Sequence, residues 1–139
     1  MNVEQVVPIL NVSDIEASLA WFAKLGWTQS FQWRGPDGRS VPSFAGMTCG
    51  DSEIFLCLDG QGSRGRGANA TTGPGDDQRA DQGAWVSIFV DDVDAVHELC
   101  LAAGIEVTHP LTDEPWGVRE THVRHPDGHV FRVGRLSPG

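Results

Sequence analysis

Hydrophobic and polar positions repeat along the chain at a constant spacing of 78 residues. The segment that begins at Leu10 matches the one that begins at Ile88, and the same spacing carries Gly26 onto Gly104. In each copy the pattern indicates a strand, then apolar residues at helical spacing, then further strands. The sequence therefore predicts two modules that share one β-α-β-β-β order.

The two predicted helices begin with capping signals. We expect Ser13 to be the N-cap of the first helix, in a capping box with Glu16. The second is expected to start from Asp91, with Asp94 in its first turn, and Gly26 and Gly104 are expected to end the helices. The predicted buried faces are Ile15, Leu19, Phe22 and Leu25 in the first helix, and Val93, Val96, Cys100 and Ala103 in the second.

Turn residues and apolar runs predict the remaining strands. Gly35–Gly38 and His125–Gly128 have the sequence of type I turns and predict hairpins. Besides the first strand, the predicted strands are residues 27–34, 40–48 and 53–59, then 84–90, 105–109, 118–124 and 129–135. We predict a single α+β domain with module 1 at 1–59, a linker at 60–83 and module 2 at 84–139. The linker holds seven Gly in 24 residues, which suits either a flexible connection or a lid over a site.

Strand alternation predicts which side chains leave the helix side of each sheet. The expected open face of module 2 carries Trp85, Phe89, Glu120, His122 and Arg132. Aromatic rings with a few polar groups are typical of a small-molecule pocket, although two sheet faces packed on each other would have a similar composition.

The same alternation predicts an aromatic surface on module 1. Phe55 is expected opposite the core residues of its strand, while Trp27, Gln29, Phe31 and Trp33 are expected together on one face of strand 27–34. That face could form a second wall of a cleft, a dimer contact or plain core.

Composition and charge narrow the possible partners. The chain has 139 residues, 19 acidic against 10 basic, and a net charge of −9. This negative net charge argues against nucleic acid and anionic membranes as partners and favours cationic ligands. The sequence contains neither an apolar run of about 20 residues nor a signal-peptide pattern, so we expect a cytoplasmic protein. Cys49, Cys57 and Cys100 have no metal or disulfide spacing and are expected in the core.

The ordered set of motifs resembles the vicinal-oxygen-chelate superfamily, which includes glyoxalase I, extradiol dioxygenases and bleomycin-resistance proteins. The resemblance rests on the duplicated modules, on Pro8-Ile9-Leu10 followed by Val12 and Asp14, on Val90-Asp91-Asp92-Val93-Asp94-Ala95, and on Pro126-Asp127-Gly128 before the last strand. It implies curved mixed sheets that form a cleft. The enzymes of that superfamily hold a divalent metal at positions that correspond here to Val7, Phe55, Trp85 and Arg132. Since none of these side chains suits a metal, we expect neither a metal nor another cofactor.

The metal-free branch that this sequence resembles is the bleomycin-resistance group, which sequesters a drug without altering it. The segment on which this resemblance rests is Glu114-Pro115-Trp116-Gly117-Val118-Arg119-Glu120. The resemblance implies a homodimer by module exchange, with two clefts lined by aromatics and acids. It also points to Trp116 as a stacking platform for a planar ring, although this residue could instead anchor a loop. The predicted ligand-binding residues are Trp116, Trp85, Phe55, Phe89, Trp33, Glu120, His122 and Arg132.

Two further hypotheses stay open at this point. Catalytic groups could have moved to Glu120 and His122, which would make the chain a glyoxalase-like lyase or dioxygenase with relocated residues. The cleft could also be filled, leaving a structural or regulatory protein. A metal site built from His122, His125 and His129 would need an irregular hairpin, because these residues do not share one strand face.

Overall fold

The computed structural model describes residues 1–36, 38, 41–58, 60 and 83–136. Within these residues the elements follow the order that the repeat predicts. Module 1 contains β1 (Ile9–Val12), α1 (Ile15–Ala23), β2 (Thr28–Trp33), β3 (Phe44–Cys49) and β4 (Ser52–Leu58). Module 2 contains β5 (Trp85–Phe89), α2 (Val93–Ala103), β6 (Glu106–Asp113), β7 (Val118–Arg124) and β8 (Val130–Leu136). Most of the predicted linker lies outside the described residues.

Each module forms a four-stranded mixed sheet, and the two sheets repeat one topology. The strand orders are β1-β4-β3-β2 and β5-β8-β7-β6, with the first strand of each module parallel to its last. The register repeats as well, because Ile9 lies opposite Phe55 and Ser87 lies opposite Arg132. The predicted α+β fold of two β-α-β-β-β modules is confirmed, and Phe55 and Arg132 occupy equivalent positions.

Both predicted turns are present, and each closes with a backbone hydrogen bond. The Gly38 N–H donates to the Gly35 carbonyl at 3.2 Å, and the Gly128 N–H donates to the His125 carbonyl at 2.8 Å. The strand bounds differ from the prediction mainly in β3, which begins at Phe44 and not at residue 40, and in β6, which continues to Asp113. No helix in the described part of the chain is long and apolar enough to cross a membrane.

The start of α1 differs from the predicted capping box. Asp14 is the N-cap, and its carboxylate accepts a hydrogen bond from the Ala17 N–H at 3.0 Å. Ser13 is bound elsewhere, since its N–H and its hydroxyl each donate to a carboxylate oxygen of Asp127 at 2.8 Å. The predicted capping box of Ser13 with Glu16 was wrong. Ser13 and Asp14 are adjacent and either could cap the helix, but Ser13 is hydrogen-bonded to Asp127 of module 2, so Asp14 is the cap.

The second helix shows the same shift of one residue. Asp92 rather than Asp91 is the N-cap, and its carboxylate accepts from the Ala95 N–H at 3.0 Å. Gly104 ends α2 in the left-handed conformation, as predicted, with a φ of 71°. Gly26 does not end α1 directly, because that helix stops three residues earlier at Ala23.

The helix sides of both sheets share one hydrophobic core. It includes Leu56 from module 1 and Phe131 from module 2, both on the predicted helix side of their strands. Trp21 of α1, which the predicted stripe omits, is buried with its ring centroid 5.8 Å from that of Phe131. Phe22 packs against the same ring at 5.3 Å. Because the helix sides meet in this core, the open faces of both sheets lie outside it.

A β-bulge in β2 overturns the predicted aromatic face of that strand. The pairing with β3 shifts between Gln29 and Phe31. Trp27 therefore packs on the helix side, with its ring centroid 6.1 Å from that of Phe22, whereas Phe31 and Trp33 lie on the open face. A bulge adds one residue to one strand and so reverses the period-two pattern beyond it.

The three cysteines do not share one environment, contrary to the expectation that all lie in the core. Cys100 is fully buried, Cys57 is half-buried on the open side of β4, and Cys49 is exposed at the end of β3. All three are free thiols.

A buried polar junction fixes module 2 against α1. The Asp127 N–H donates to His125 Nδ1 at 3.0 Å, so Nε2 carries the proton and donates to the Ser18 hydroxyl at 3.0 Å. Burial lowers the pKa of His125 to about 4, against the opposing attraction of the Asp127 carboxylate. His125 is therefore a neutral structural residue.

His129 is held in the same way from the other side of the turn. The Ala84 N–H donates to its Nδ1 at 2.9 Å, and its Nε2 donates to the Asn11 carbonyl at 2.6 Å. Burial lowers its pKa as well. Since His125 and His129 are committed to the junction while His122 lies on the open face, these three histidines do not converge on a metal.

Candidate functional site

The open face of module 1 is an aromatic surface. The rings of Phe31, Phe44 and Phe55 pack together with centroids 5.5 to 5.8 Å apart. Gly46 leaves the space for this cluster, because a Cβ at that position would lie 2.3 Å from Phe31 Cε1. Trp33, at the end of β2, is more than half exposed. This face offers ring surfaces without a charged group at its centre.

The open face of module 2 is built around one buried carboxylate. Glu120 is only 1% exposed and lies beside Arg132, whose Nε and Nη2 donate to its two oxygens, the second at 3.1 Å. His122 Nε2 donates to the Oε2 atom at 3.1 Å. The Arg132 guanidinium holds the pKa of Glu120 below its usual range, against the effect of burial. Glu120 is therefore a charged residue whose two oxygens are both engaged.

A second polar pair adjoins this cluster and was absent from the predicted site. His109 Nε2 donates to Glu114 at 2.8 Å, and the His109 ring lies 4.6 Å from that of His122. Alternation would place His109 with Val107 on the helix side, but bulges in β6 bring it opposite His122. The only sequence signal for these bulges is Pro110, because a proline within a strand marks an edge strand or a bulge.

Exposed aromatic rings surround the polar cluster. Trp85 and Phe89 are 68% and 62% exposed and lie on β5, one on each side of the Ser87 position that faces Arg132. Trp116, in the β6–β7 turn, is 62% exposed, and the Arg132 guanidinium carbon lies 5.9 Å from its ring centroid. The site thus presents three rings around one satisfied charge cluster.

A depression of about 250 Å³ opens on this face. Its walls include the side chains of Trp85 and His122, and the backbone of Gly83 and Gly128 forms one end. A Cβ at Gly83 would lie 2.3 Å from the Gly128 carbonyl group, so only glycine permits the approach of the chain that closes this end. The depression is open to solvent and large enough for part of a ligand.

The predicted site residues thus lie on two separate surfaces. Module 2 brings together Trp85, Phe89, Trp116, Glu120, His122 and Arg132. Phe55 and Trp33 lie on the open face of module 1, beyond the shared core.

The positions that would hold a metal do not fit one. Phe55, Trp85 and Arg132 lie on the open faces, and with Val7 they offer no oxygen, sulfur or imidazole donor. Among the described residues, no group of three or more His, Cys, Asp or Glu side chains could hold a metal ion. We therefore derive no chemistry that depends on a metal.

Solved structures share this fold over nearly the full chain. TioX from Micromonospora sp. ML1 superposes with a TM-score of 0.72 at 23% identity, covering 96% of this chain and 99% of that one. A bleomycin resistance determinant encoded on transposon Tn5 gives 0.68 at 19%, covering 98% and 100%. The bleomycin-binding protein from Streptomyces verticillus, solved with copper(II)-bleomycin, gives 0.62 at 23%, covering 100% and 99%.

A search of curated proteins found no significant match. The profile of the Glyoxalase/Bleomycin resistance protein/Dioxygenase superfamily matches residues 3–133. The repeated modules, the shared register and this match over most of the sequence show that the chain belongs to that superfamily.

Proposed function

We propose that this protein binds an aromatic, cationic small molecule of the bleomycin type, without a metal and without altering it chemically. The observation that carries the proposal is the open face of module 2, where Trp85, Phe89 and Trp116 surround the Glu120 cluster. Exposed rings provide stacking surfaces for planar ligand groups. The similarity in fold to bleomycin-binding proteins supports the same interpretation.

The charge of this face favours a cationic ligand. On this face Arg132 is paired with Glu120, and Arg124 is paired with Glu106 at 3.0 Å. Glu114 adds a carboxylate whose partner is His109. Among the described residues, the arginines of this face are thus paired with carboxylates and do not repel a cation, and the net charge of −9 attracts one.

We propose that the binding unit is a homodimer by module exchange. In the described residues, β1 pairs with β4 alone and β5 with β8 alone, so the outer edges of these two strands are free, as are those of the opposite edge strands β2 and β6. Both open faces expose large aromatic side chains outside the shared core. A second copy would place a module 1 face against a module 2 face and so build a cleft from aromatic and polar walls.

The alternative of acid–base chemistry at Glu120 and His122 is weaker. A general base needs a free lone pair and a pKa near the working pH. Arg132 lowers the pKa of Glu120, and the carboxylate already accepts hydrogen bonds on both oxygens. We therefore expect binding without turnover, so that bleomycin recovered from a long incubation has its original mass.

Trp116 provides the first test of the proposed function. Titration with metal-free bleomycin should quench or shift the intrinsic Trp fluorescence, and Trp116→Ala should weaken binding by at least ~2 kcal/mol, as for a central aromatic anchor. The variant should keep its melting temperature and its dimeric mass in sedimentation, because the ring lies at the surface.

Leu101→Ala is the matched control, since Leu101 is an exposed apolar residue on α2 away from both open faces. It should leave binding unchanged. If Trp116→Ala instead lowers the melting temperature and keeps full affinity, Trp116 anchors its loop and the proposed role is wrong. No response of the wild type at high micromolar bleomycin would remove this drug as a ligand.

A further inference from the structure

A crevice between the two modules adjoins the open face of module 2 and shares Phe89 with it. A cavity of about 130 Å³ and another of about 270 Å³ share the walls formed by Trp27, Ser52, Ile88 and Phe89. The crevice therefore has an inner and an outer end, one leading into the other. It passes between β5 and the turn that joins β3 to β4, beside the shared core.

The inner end is the smaller cavity and is apolar. Its walls include Phe22, Leu25, Trp27, Val96, Phe131 and Val133, which come from both modules. Cavities of about 150 Å³ with walls of this kind stay dry and bind benzene. The inner end therefore has the size and polarity to take one six-membered ring.

The outer end is acidic. Asp51 and Glu53 line it together with Gln5 and Ser87, and no basic side chain is among the described residues of its wall. Glu53 accepts hydrogen bonds from Gln5 Nε2 at 3.3 Å and from the Ser30 hydroxyl at 3.4 Å. Neither partner is a cation, so within the described part of the chain both carboxylates at this end keep an uncompensated negative charge.

We propose that this crevice is a second binding site, and that it takes a small arylalkylamine. The ring occupies the inner end between Trp27 and Val96, and the ammonium group lies against Asp51 and Glu53 at the outer end. An apolar end that adjoins an acidic one complements a molecule with a ring and a cation a few bonds apart. The crevice shares Phe89 with the site of the proposed function, but none of Glu120, His122 and Arg132 lines it.

The first experiment compares 2-phenylethylamine with its neutral analogue 2-phenylethanol, by NMR titration of the full chain. The amine should bind at least fivefold more tightly than the alcohol. D51N/E53Q should remove that advantage and leave the affinity for the alcohol unchanged. The control D91N/E98Q makes the same change in charge at exposed residues of α2 and the turn before it, and it should keep the preference. Equal affinities of the wild type for amine and alcohol would overturn the proposal.

The second experiment uses the thiol of Cys49, which is exposed and also lines the inner end. At about 20 mM, above the millimolar dissociation constant expected for nine non-hydrogen atoms, 2-phenylethylamine should slow the alkylation of Cys49 at least threefold. Val96→Phe, which fills the inner end, should abolish this protection. Should that variant fail to fold, protection of wild-type Cys49 alone decides.

Three results would exclude this site. Protection that depends on protein concentration and not on the amine would show that a second copy covers the crevice. Competition between bleomycin and 2-phenylethylamine that persists in Val96→Phe, whose inner end is filled, would place the amine in the site of the proposed function. Unchanged alkylation of Cys49 at saturating amine would equally overturn the proposal.

Discussion

Equivalent positions of the two open faces carry opposite chemistry. Phe44 and Phe55 of module 1 correspond to Glu120 and Arg132 of module 2. Phe44 pairs with Cys57, two residues after Phe55. In the same way, Glu120 pairs with Gly134, two residues after Arg132. Gly46 and His122 form the third equivalent pair, opposite Phe55 and Arg132 respectively. One set builds a cluster of phenyl rings, and the other builds a network of charges and hydrogen bonds.

This difference separates what holds the fold from what gives it a function. The helix sides are apolar in both modules, and residues such as Leu56 and Val133 bury there and set the register. The open faces contribute little to that core, so their residues are free to differ. A face that can differ without loss of the fold is where a ligand-binding surface can develop.

The largest effect we expect is a loss of stability in acid, which separates the junction histidines from those of the open face. His125 has a pKa of about 4 in the folded chain, against about 6.5 for an unfolded histidine. The unfolded chain therefore binds the proton more readily, and the stabilisation is complete above pH 6.5 and lost as the pH falls towards 4. Between pH 7 and 5 this amounts to about 2 kcal/mol, and His129 should add to it.

Urea unfolding at several pH values checks this prediction. His125→Gln should be less stable at pH 7 but should lose less stability between pH 7 and 5, whereas Leu101→Ala, which removes an exposed apolar side chain and no titratable group, should keep the wild-type slope. The lowered pKa of Glu120 makes its contribution disappear only below about pH 4.5, outside this range. An unchanged slope in His125→Gln would show that the junction is not the acid-sensitive element.

The second prediction compares Glu120 with its equivalent, Phe44. Glu120→Leu should lower the free energy of unfolding by about 2 kcal/mol, because Arg132 and His122 lose a shared, buried partner. Phe44→Leu should cost about 1 kcal/mol, since it removes part of one ring cluster. Guanidinium unfolding of both variants gives the values. If Glu120→Leu is as stable as the wild type, the polar cluster serves binding alone.

The fold was predictable because its signals are local and repeat. The matching segments after Leu10 and Ile88 gave the topology, and alternation placed Trp85, Phe89 and Arg132 correctly on the open face. The bulge in β2 accounts for the main error, since it places Trp27 on the opposite face from Phe31 and Trp33, and no period-two pattern contains that information. Irregularities in β6 likewise bring His109, which the predicted site omits, opposite His122.

Contacts between distant segments explain what else the sequence could not reveal. Ser13 binds Asp127 at a separation of 114 residues, and the hydrogen bond of Glu114 to His109 depends on how the irregular strand β6 pairs with β7. Neither pairing has a spacing or a motif of its own. The binding roles of the eight predicted site residues stay predictions.

The third prediction concerns the two glycines in the middle of strands on the open faces. Gly46→Ala would place a Cβ 2.3 Å from Phe31 Cε1 and force that ring off the cluster, at a cost of about 1.5 kcal/mol. In Gly134→Ala the tightest contact of the new Cβ is with Val118 Cγ1 at 3.0 Å, and the next atoms lie at 3.6 Å, so a small adjustment should limit its cost to about 0.5 kcal/mol. Thermal unfolding distinguishes the two. Equal losses would mean that the module 1 face is as adaptable as the module 2 face.

The smallest effect compares Ser13 with Asp91, which the 78-residue repeat places at equivalent positions before the two helices. Ser13→Ala removes a hydrogen bond to the Asp127 carboxylate and should cost about 1 kcal/mol. Asp91 is exposed and is not the cap of α2, so Asp91→Ala should change stability by less than about 0.5 kcal/mol. Chemical unfolding of Ser13→Ala, Asp127→Ala and the double mutant S13A/D127A measures the coupling between Ser13 and Asp127, and Asp91→Ala is unfolded for comparison. If Ser13→Ala still lowers the free energy of unfolding when Asp127 is already Ala, the effect comes from local helix capping and not from the hydrogen bond between Ser13 and Asp127.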